Sequence, residues 1–193
     1  MTMATSLDVA AYILRVMADG GEDAPITRTV QKLVYYTQAW SLAWDGRPAF
    51  YEPIEAWKDG PVVRRLYSAH HRQWRVSEIP AGDPDALTDE EKSIVDAVMA
   101  FYGHMSFDQL VDQTHKELPW QRARGDKPPG AHSWAEITQG SMRSFYTVQS
   151  LNGLPTPERP QSRSKYVDAN EVRDETATQT KVWRETLDWL ATR

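Results

Sequence analysis

The chain has 193 residues, a formal net charge of −5 and no cysteine. This length suits one medium-sized domain with an appendage, and the lack of cysteine excludes disulfides, thiolate catalysis and cysteine-based metal sites. The acidic balance argues against a protein that follows nucleic-acid phosphates, since such surfaces are rich in Lys and Arg. The sequence contains neither a membrane-spanning run nor a signal peptide, so we expect a cytoplasmic protein.

The first two predicted elements are amphipathic helices. Ser6 is the predicted N-cap of the first helix, which ends before Gly20-Gly21, and Thr27 is the predicted N-cap of the second. The second helix ends at Asp45-Gly46, because glycine adopts the left-handed conformation at little steric cost. Apolar residues recur at intervals of three and four, which places them on one face of each helix: Val9, Ile13, Val16 and Met17 in the first, and Val30, Leu33, Val34, Trp40 and Trp44 in the second.

A loop is predicted from Arg47 to Trp57, where prolines and aromatic residues interrupt the helical pattern, with a short β element around Phe50 to Trp57. A third helix is predicted to begin at Asp59-Gly60-Pro61, because proline is tolerated in the first turn of a helix. The pair His70-His71 is interpreted as the solvated end of this helix. Adjacent helical residues point in different directions and do not readily share a metal.

The middle of the chain predicts a second short strand and a close pair of helices. The strand is placed at Trp74 to Ile79. Thr88-x-x-Glu91 and Ser106-x-x-Gln109 are capping boxes that start the two helices. The first of these helices ends at Gly103, and Leu118-Pro119 ends the second, because the residue before proline avoids helical geometry.

The sequence pattern at the end of the chain predicts one more helix of the domain, a linker and a tail. The helix runs from Ser141 to Leu151, and residues 154–168 form a stiff linker that contains three prolines. Residues 169–193 form an amphipathic tail helix, which either docks on its own domain, pairs with a second copy or binds a partner. Its apolar residues are Trp183, Leu187, Trp189 and Leu190.

Three sequence blocks occur in a fixed order, and together they resemble a known family. The blocks are Gln31-Lys32-Leu33 with Tyr35-Tyr36 and Gln38, then Glu52-x-Ile54-Glu55-Ala56-Trp57 leading into Gly60-Pro61-Val62, and finally Thr114-His115-x-x-x-Pro119-Trp120. Over about residues 6–151, the chain resembles the Panacea antitoxin domain of SocA-type antitoxins and phage-associated GepA-like proteins. The resemblance implies a bacterial or phage antitoxin that binds a cognate protein toxin, encoded by a neighbouring gene, and holds it inactive. The family accompanies many unrelated toxins, so the identity of the toxin does not carry over.

The predicted fold is mainly α: a compact bundle of about six helices with a short β element and a C-terminal tail helix. Residues 1–153 form the predicted antitoxin domain, followed by the linker and the tail. Residues at which we predict partner contact are Glu55, Trp57, Gly60, Pro61, His115 and Trp120 in the domain, and Trp183, Leu187, Trp189 and Leu190 in the tail.

No catalytic, cofactor or metal site is predicted. His115-x-Glu117 followed by Pro119 matches half of the zinc deaminase signature, but the Cys-x-x-Cys that completes it has no counterpart in a chain without cysteine. Histidine beside tryptophan at a helix end is interpreted as a packed, hydrogen-bonded residue. His-Glu-x-x-His motifs and phosphate-binding glycine loops are also absent from the sequence.

Three alternatives to direct toxin neutralisation stay open at the level of sequence. The protein could be a proteolytic adaptor that delivers its toxin to a protease. It could be an enzyme in which Glu55, Trp57 and His115 converge on one cleft, with shifted ionisation as the sign. It could also be a repressor with a helix-turn-helix around Gly103 to Ser106, but we do not expect DNA binding because the second helix is acidic. Assembly as a homodimer or as a hetero-oligomer with the toxin also stays open.

Overall fold

The computed structural model describes residues 4–128 and 130–161, and this part of the chain contains seven helices and one β-hairpin. The mainly α fold predicted from the sequence is thereby confirmed. The elements in chain order are α1 (Ser6–Asp19), α2 (Thr27–Asp45), β1 (Ile54–Trp57), β2 (Gly60–Val63), α3 (Arg64–Ala69), α4 (Asp89–Tyr102), α5 (Phe107–Lys116), α6 (Leu118–Arg124) and α7 (Gln139–Leu151).

Helix α2 is the centre of the domain and packs against α1, α4, α5, α7 and strand β2. Sixteen of its nineteen residues are buried, so the single apolar stripe predicted from the sequence underestimates its burial. Tyr35, Tyr36 and Trp40 are fully buried aromatic residues of this helix. Its buried polar residues find partners nearby; the Gln38 amide, for example, bonds the backbone of Ala49 and Phe50.

The predicted caps of the first two helices are wrong by one residue. The N-cap of α1 is Thr5, which forms a capping box with Asp8, whereas Ser6 is buried and donates its hydroxyl to Glu52 at 3.1 Å. Helix α2 has Ile26 at its N-cap without a side-chain hydrogen bond, and the Thr27 hydroxyl donates to the Gln73 carbonyl. Both side chains bond to distant segments, which local sequence patterns do not reveal.

The helix predicted at Gly60-Pro61 is wrong, because these residues begin strand β2. This strand pairs antiparallel with β1, with Ile54 opposite Val63 and Trp57 opposite Gly60. Gly60 has φ +99°, a conformation that suits the tight connection between the strands and that L residues rarely adopt. Helix α3 starts only at Arg64, after the β-branched Val62 and Val63 have joined the hairpin.

The strand predicted at Trp74 to Ile79 is also wrong. This segment forms only one isolated antiparallel bridge, between Ile26 and Arg75. The Val76 amide donates to the Pro25 carbonyl, and the Thr27 amide donates to the Trp74 carbonyl. These bonds hold the segment after α3 beside the start of α2.

The two predicted capping boxes are confirmed. Thr88 with Glu91 begins α4, and Ser106 with Gln109 begins α5. The sequence pattern missed the next helix: α5 ends at Lys116, and α6 starts at once with Pro119 in its first turn. Proline therefore begins a helix here instead of only ending one.

The described part of the C-terminal region lies against the domain. After α7, Pro157 is buried and Arg159 forms an ion pair with Asp45 at 3.1 Å. Residues 162–168 of the predicted linker and the predicted tail helix 169–193, with Trp183, Leu187, Trp189 and Leu190, lie outside the described residues. Among the described helices, none has the length and apolar character that crossing a membrane requires.

Candidate functional site around the hairpin

The first two family-like blocks meet at strand β2. The Lys32 ammonium donates to the Pro61 carbonyl at 3.1 Å. The neighbouring Gln31 amide forms two hydrogen bonds with the backbone of Val63. It accepts from the Val63 N–H at 2.9 Å and donates to the Val63 carbonyl at 3.4 Å. Side chains of α2 thus form the hydrogen bonds to this strand that a further β-strand would otherwise form.

The third block lies against the same hairpin. A Cβ atom at Gly60 would lie 2.6 Å from Lys32 Cε and 2.8 Å from Thr114 Oγ1, so only glycine fits there. The Trp120 indole donates to the Trp57 carbonyl at 3.0 Å. The three blocks are therefore one packed cluster, although they are far apart in sequence.

The domain residues predicted to contact a partner have different degrees of exposure. Gly60 and Pro61 are buried in the cluster, and Glu55, Trp57, His115 and Trp120 are half-buried. The Glu55 carboxylate accepts from the Trp57 indole at 2.7 Å and forms an ion pair with Arg64 at 3.0 Å. Partner contact at these residues remains a prediction.

His115 stacks on the Trp120 ring, with ring centroids 4.0 Å apart and an interplanar angle of 16°. Its buried Nε2 atom has no hydrogen-bond partner among the described residues, unlike the hydrogen-bonded histidine that the sequence predicts. Burial, helped by the positive charges of Lys32 and Arg124, lowers the pKa of His115. A neutral imidazole against an indole face is a packing arrangement.

A cavity of about 580 Å³ opens on one side of the cluster. It lies between the start of α2, the hairpin, the segment after α3 and residues 132–134. Aromatic side chains form much of its wall: Trp57, Tyr67, Trp74 and Trp134. Four cationic side chains also line it, namely Arg28, Lys32, Lys58 and Arg72, together with one carboxylate, Asp59.

The cavity does not unite the residues of the enzymatic alternative. Trp57 lines it, but neither Glu55 nor His115 does. Glu55, Trp57 and His115 therefore do not line this cavity together. The same part of the chain contains no cluster of His, Asp and Glu that could hold a metal ion.

Lys32 and His70 are the buried titratable residues of the cavity. Burial lowers the pKa of Lys32 to about 7, and burial likewise lowers the pKa of His70. The His70 Nε2 atom lies 3.1 Å from the Gln31 amide nitrogen. The interpretation of His70 as part of a solvated helix end is therefore wrong, because the His70 ring is buried in the domain beside Gln31.

A second buried polar cluster surrounds Glu117, behind the hairpin. The Glu117 carboxylate accepts hydrogen bonds from Tyr146 at 2.6 Å, from Tyr36 at 3.2 Å and from Gln113 at 3.3 Å. Burial raises the pKa of Glu117 to about 7, and these donors partly oppose the increase. The cluster connects α2, α5 and α7, and Glu117 is also the single residue between α5 and α6, where it caps both helices.

Comparison with known families gives a match that contains all three blocks. Residues 30–121, just under half of the chain, match the family model described as antitoxin SocA-like, Panacea domain. The match confirms, for these residues, the resemblance to an antitoxin-like Panacea domain that the sequence predicts. No curated protein and no solved structure matches the chain.

Proposed function

We propose that the protein is the antitoxin of a bacterial or phage toxin–antitoxin system and that it neutralises its cognate protein toxin by direct binding. The observation that carries this proposal is the match of residues 30–121 to an antitoxin-like family. The toxin is the product of a neighbouring gene. Occlusion is the proposed mechanism: the antitoxin covers the active site of the toxin or holds it in an inactive shape.

An exposed apolar row at the end of α7 supports a role in protein binding. Val148, Leu151 and Leu154 are 55%, 80% and 51% exposed, and the first two are three residues apart on one helical face. Exposed apolar side chains that are grouped together are typical of surfaces that bind other proteins. We propose this row as one part of the toxin-binding surface.

The predicted partner residues complete the proposed surface. In the domain these are Glu55, Trp57, His115 and Trp120, whose partial exposure leaves them accessible at the edge of the cluster. In the tail they are Trp183, Leu187, Trp189 and Leu190, which lie beyond the matched segment and would give specificity for one toxin. Trp and Tyr are enriched in the residues that dominate binding energy, which favours them as anchors.

A growth assay followed by co-purification tests the proposal. The neighbouring gene is expressed alone and then together with this protein. We expect the neighbouring gene product to stop growth, this protein to restore it, and the two proteins to elute as one complex. A harmless neighbour, or rescue without any complex, would contradict direct neutralisation. If growth is rescued and the toxin is degraded faster with this protein than without it, the proteolytic-adaptor alternative would be favoured.

Truncation tests the contribution of the tail. Deletion of residues 156–193 would remove the buried Pro157 and the ion pair of Arg159 with Asp45. Removal of residues 162–193 preserves both contacts and is therefore the sharper variant. We expect this truncated protein to fold and to rescue growth less well than the full chain. Unchanged rescue would show that the tail is not needed for neutralisation.

A further inference from the structure

The charge of the cavity beside the hairpin is opposite to that of the whole chain. The chain has a formal net charge of −5, whereas four cationic residues and one carboxylate line the cavity. Asp59 pairs with Arg28, at 3.5 Å. Lys32, Lys58 and Arg72 form no ion pair with any residue that the structure describes. An acidic protein thus concentrates positive charge at one concave site, which favours an anionic ligand.

Lys32 marks the interior of this site. Its side chain is buried, and among the described residues its only hydrogen bond is the one to the Pro61 carbonyl. An ammonium group has three N–H donors, and a buried charge without a counter-charge costs free energy. An anion bound in the cavity would supply that counter-charge through a charge-assisted hydrogen bond.

The aromatic side chains of the cavity provide faces for a planar ring. Trp74 is 61% exposed and Trp134 is 66% exposed, which is unusual for residues of this size in a folded domain. The Arg28 guanidinium lies 5.3 Å from the centroid of the Trp74 ring. Exposed tryptophans with arginine beside them are the groups that bind nucleobases by stacking.

The volume of the cavity suits a small molecule. About 580 Å³ lies within the range of ligand pockets in proteins. Such pockets take ligands of drug size, and a nucleoside monophosphate falls in this class. One acidic or aromatic side chain from a partner protein would leave most of this space unfilled.

We propose that this cavity binds a small anionic ligand with a planar aromatic ring, of the nucleoside monophosphate class. The aromatic walls of Trp74 and Trp134 receive the ring, and the Arg72 guanidinium and the Lys32 amino group, protonated when the anion binds, receive the phosphate. This binding activity is separate from toxin neutralisation and does not depend on it.

The test is a titration of the full chain with AMP and with GMP at pH 7, followed by calorimetry and by tryptophan fluorescence. Adenosine, which lacks phosphate, and inorganic phosphate, which lacks a base, are the control ligands. We expect saturable binding of at least one monophosphate, with quenching of tryptophan fluorescence and at least tenfold weaker binding of both controls. Binding of phosphate or adenosine as tight as that of the nucleotide would overturn the proposal.

Substitutions locate the binding site. Arg72→Gln and Trp134→Ala alter exposed residues of the cavity, so the fold should persist, and each should weaken nucleotide binding at least tenfold. Arg122→Gln and Tyr51→Ala are matched controls at exposed residues that do not line the cavity, and they should change affinity less than twofold. Equal effects of the cavity variants and the control variants would place the nucleotide elsewhere and overturn the proposal.

Lys32→Met removes the buried ammonium and keeps an unbranched side chain. We expect it to weaken nucleotide binding at least tenfold with an unchanged circular dichroism spectrum; wild-type affinity in the folded variant would remove Lys32 from the site. If no nucleotide binds at millimolar concentration, the proposal is wrong. If in addition Arg72→Gln abolishes the complex with the neighbouring gene product, the cavity takes a segment of the toxin instead. Growth rescue by the wild-type protein separates either result from a failure of the antitoxin function.

Discussion

At the scale of single residues, the family-like blocks are explained by mutual contact. Lys32 bonds the carbonyl of Pro61, and Gly60 leaves room for both Lys32 and Thr114. Gln31 replaces a neighbouring strand by bonding both backbone groups of Val63. These residues hold the hairpin on α2, and two of them, Gln31 and Lys32, also line the cationic cavity.

Gly60→Ala should destabilise the domain strongly. The added Cβ would meet Lys32 Cε at 2.6 Å, and the φ of +99° is strained for alanine, which alone costs about 1–3 kcal/mol. Gly140→Ala is the control, because nothing lies within 4 Å of its added Cβ and alanine is the better helix former. Urea denaturation should show a lower midpoint for Gly60→Ala and an equal or higher one for Gly140→Ala. Equal midpoints for the two variants would contradict the close approach at Gly60.

Glu117→Gln should change how stability depends on pH. The folded pKa of Glu117 is about 7, above its ordinary value of 4.5, so the folded state holds this proton more tightly than the unfolded state. The wild-type protein therefore loses stability as pH rises from about 4.5 to about 7, by roughly 3 kcal/mol. Glutamine cannot ionise, and Lys32 titrates equally in both chains.

The stability difference between wild type and Glu117→Gln, measured by urea denaturation at pH 4.5 and pH 8, isolates this effect. It should shift in favour of the variant by roughly 3 kcal/mol at the higher pH. A difference that stays constant between the two pH values would mean that Glu117 titrates normally in the folded protein.

At the scale of secondary-structure elements, capping boxes and apolar periodicity predicted most of the helices. Thr88 and Ser106 start α4 and α5 as the sequence indicates, because a capping box is a purely local device. Gly60-Pro61 misled the prediction, because glycine and proline before apolar residues fit a helix start as well as a hairpin. Pairing with β1 and hydrogen bonds from Gln31 and Lys32, about thirty residues away, stabilise the strand instead.

The cavity could not be predicted from the sequence for a related reason. Its lining comes from four separate segments, and no two of its main aromatic residues, Trp57, Trp74 and Trp134, lie in the same segment. The three family-like blocks contain the residues of the hairpin cluster, but no sequence pattern indicated that Trp74 and Trp134 would lie beside it. Long-range packing of irregular segments has no periodic signal.

Thr88→Ala should destabilise α4 by about 1 kcal/mol, because its side chain accepts the hydrogen bond from the Glu91 amide. Ser93→Ala, on the same helix, is the control. The Ser93 hydroxyl bonds only the Asp89 carbonyl in the preceding turn, so its loss should change stability by less than about 0.5 kcal/mol. Thermal denaturation of both variants measures the difference. A Thr88→Ala protein as stable as Ser93→Ala would indicate that the box does not contribute to α4.

At the scale of the whole molecule, net charge is a poor guide to what the protein binds. An acidic chain encloses a cavity rich in Lys and Arg, and a mainly apolar row lies exposed at the end of α7. We propose the apolar row for contact with the toxin and the cavity for a small anion. The antitoxin-like family match concerns the segment that builds the hairpin cluster, whereas the proposed tail contacts lie beyond it.

The central claim is direct binding, and calorimetry between the purified protein and the purified product of the neighbouring gene tests it. We predict a saturable heat of binding for the wild type. Leu151→Asp, which places a charge in the exposed apolar row, should weaken binding at least tenfold. Ser150→Asp adds the same charge one residue away and should leave the affinity within twofold. Absence of any binding by the wild-type protein, although it rescues growth, would contradict neutralisation by direct contact.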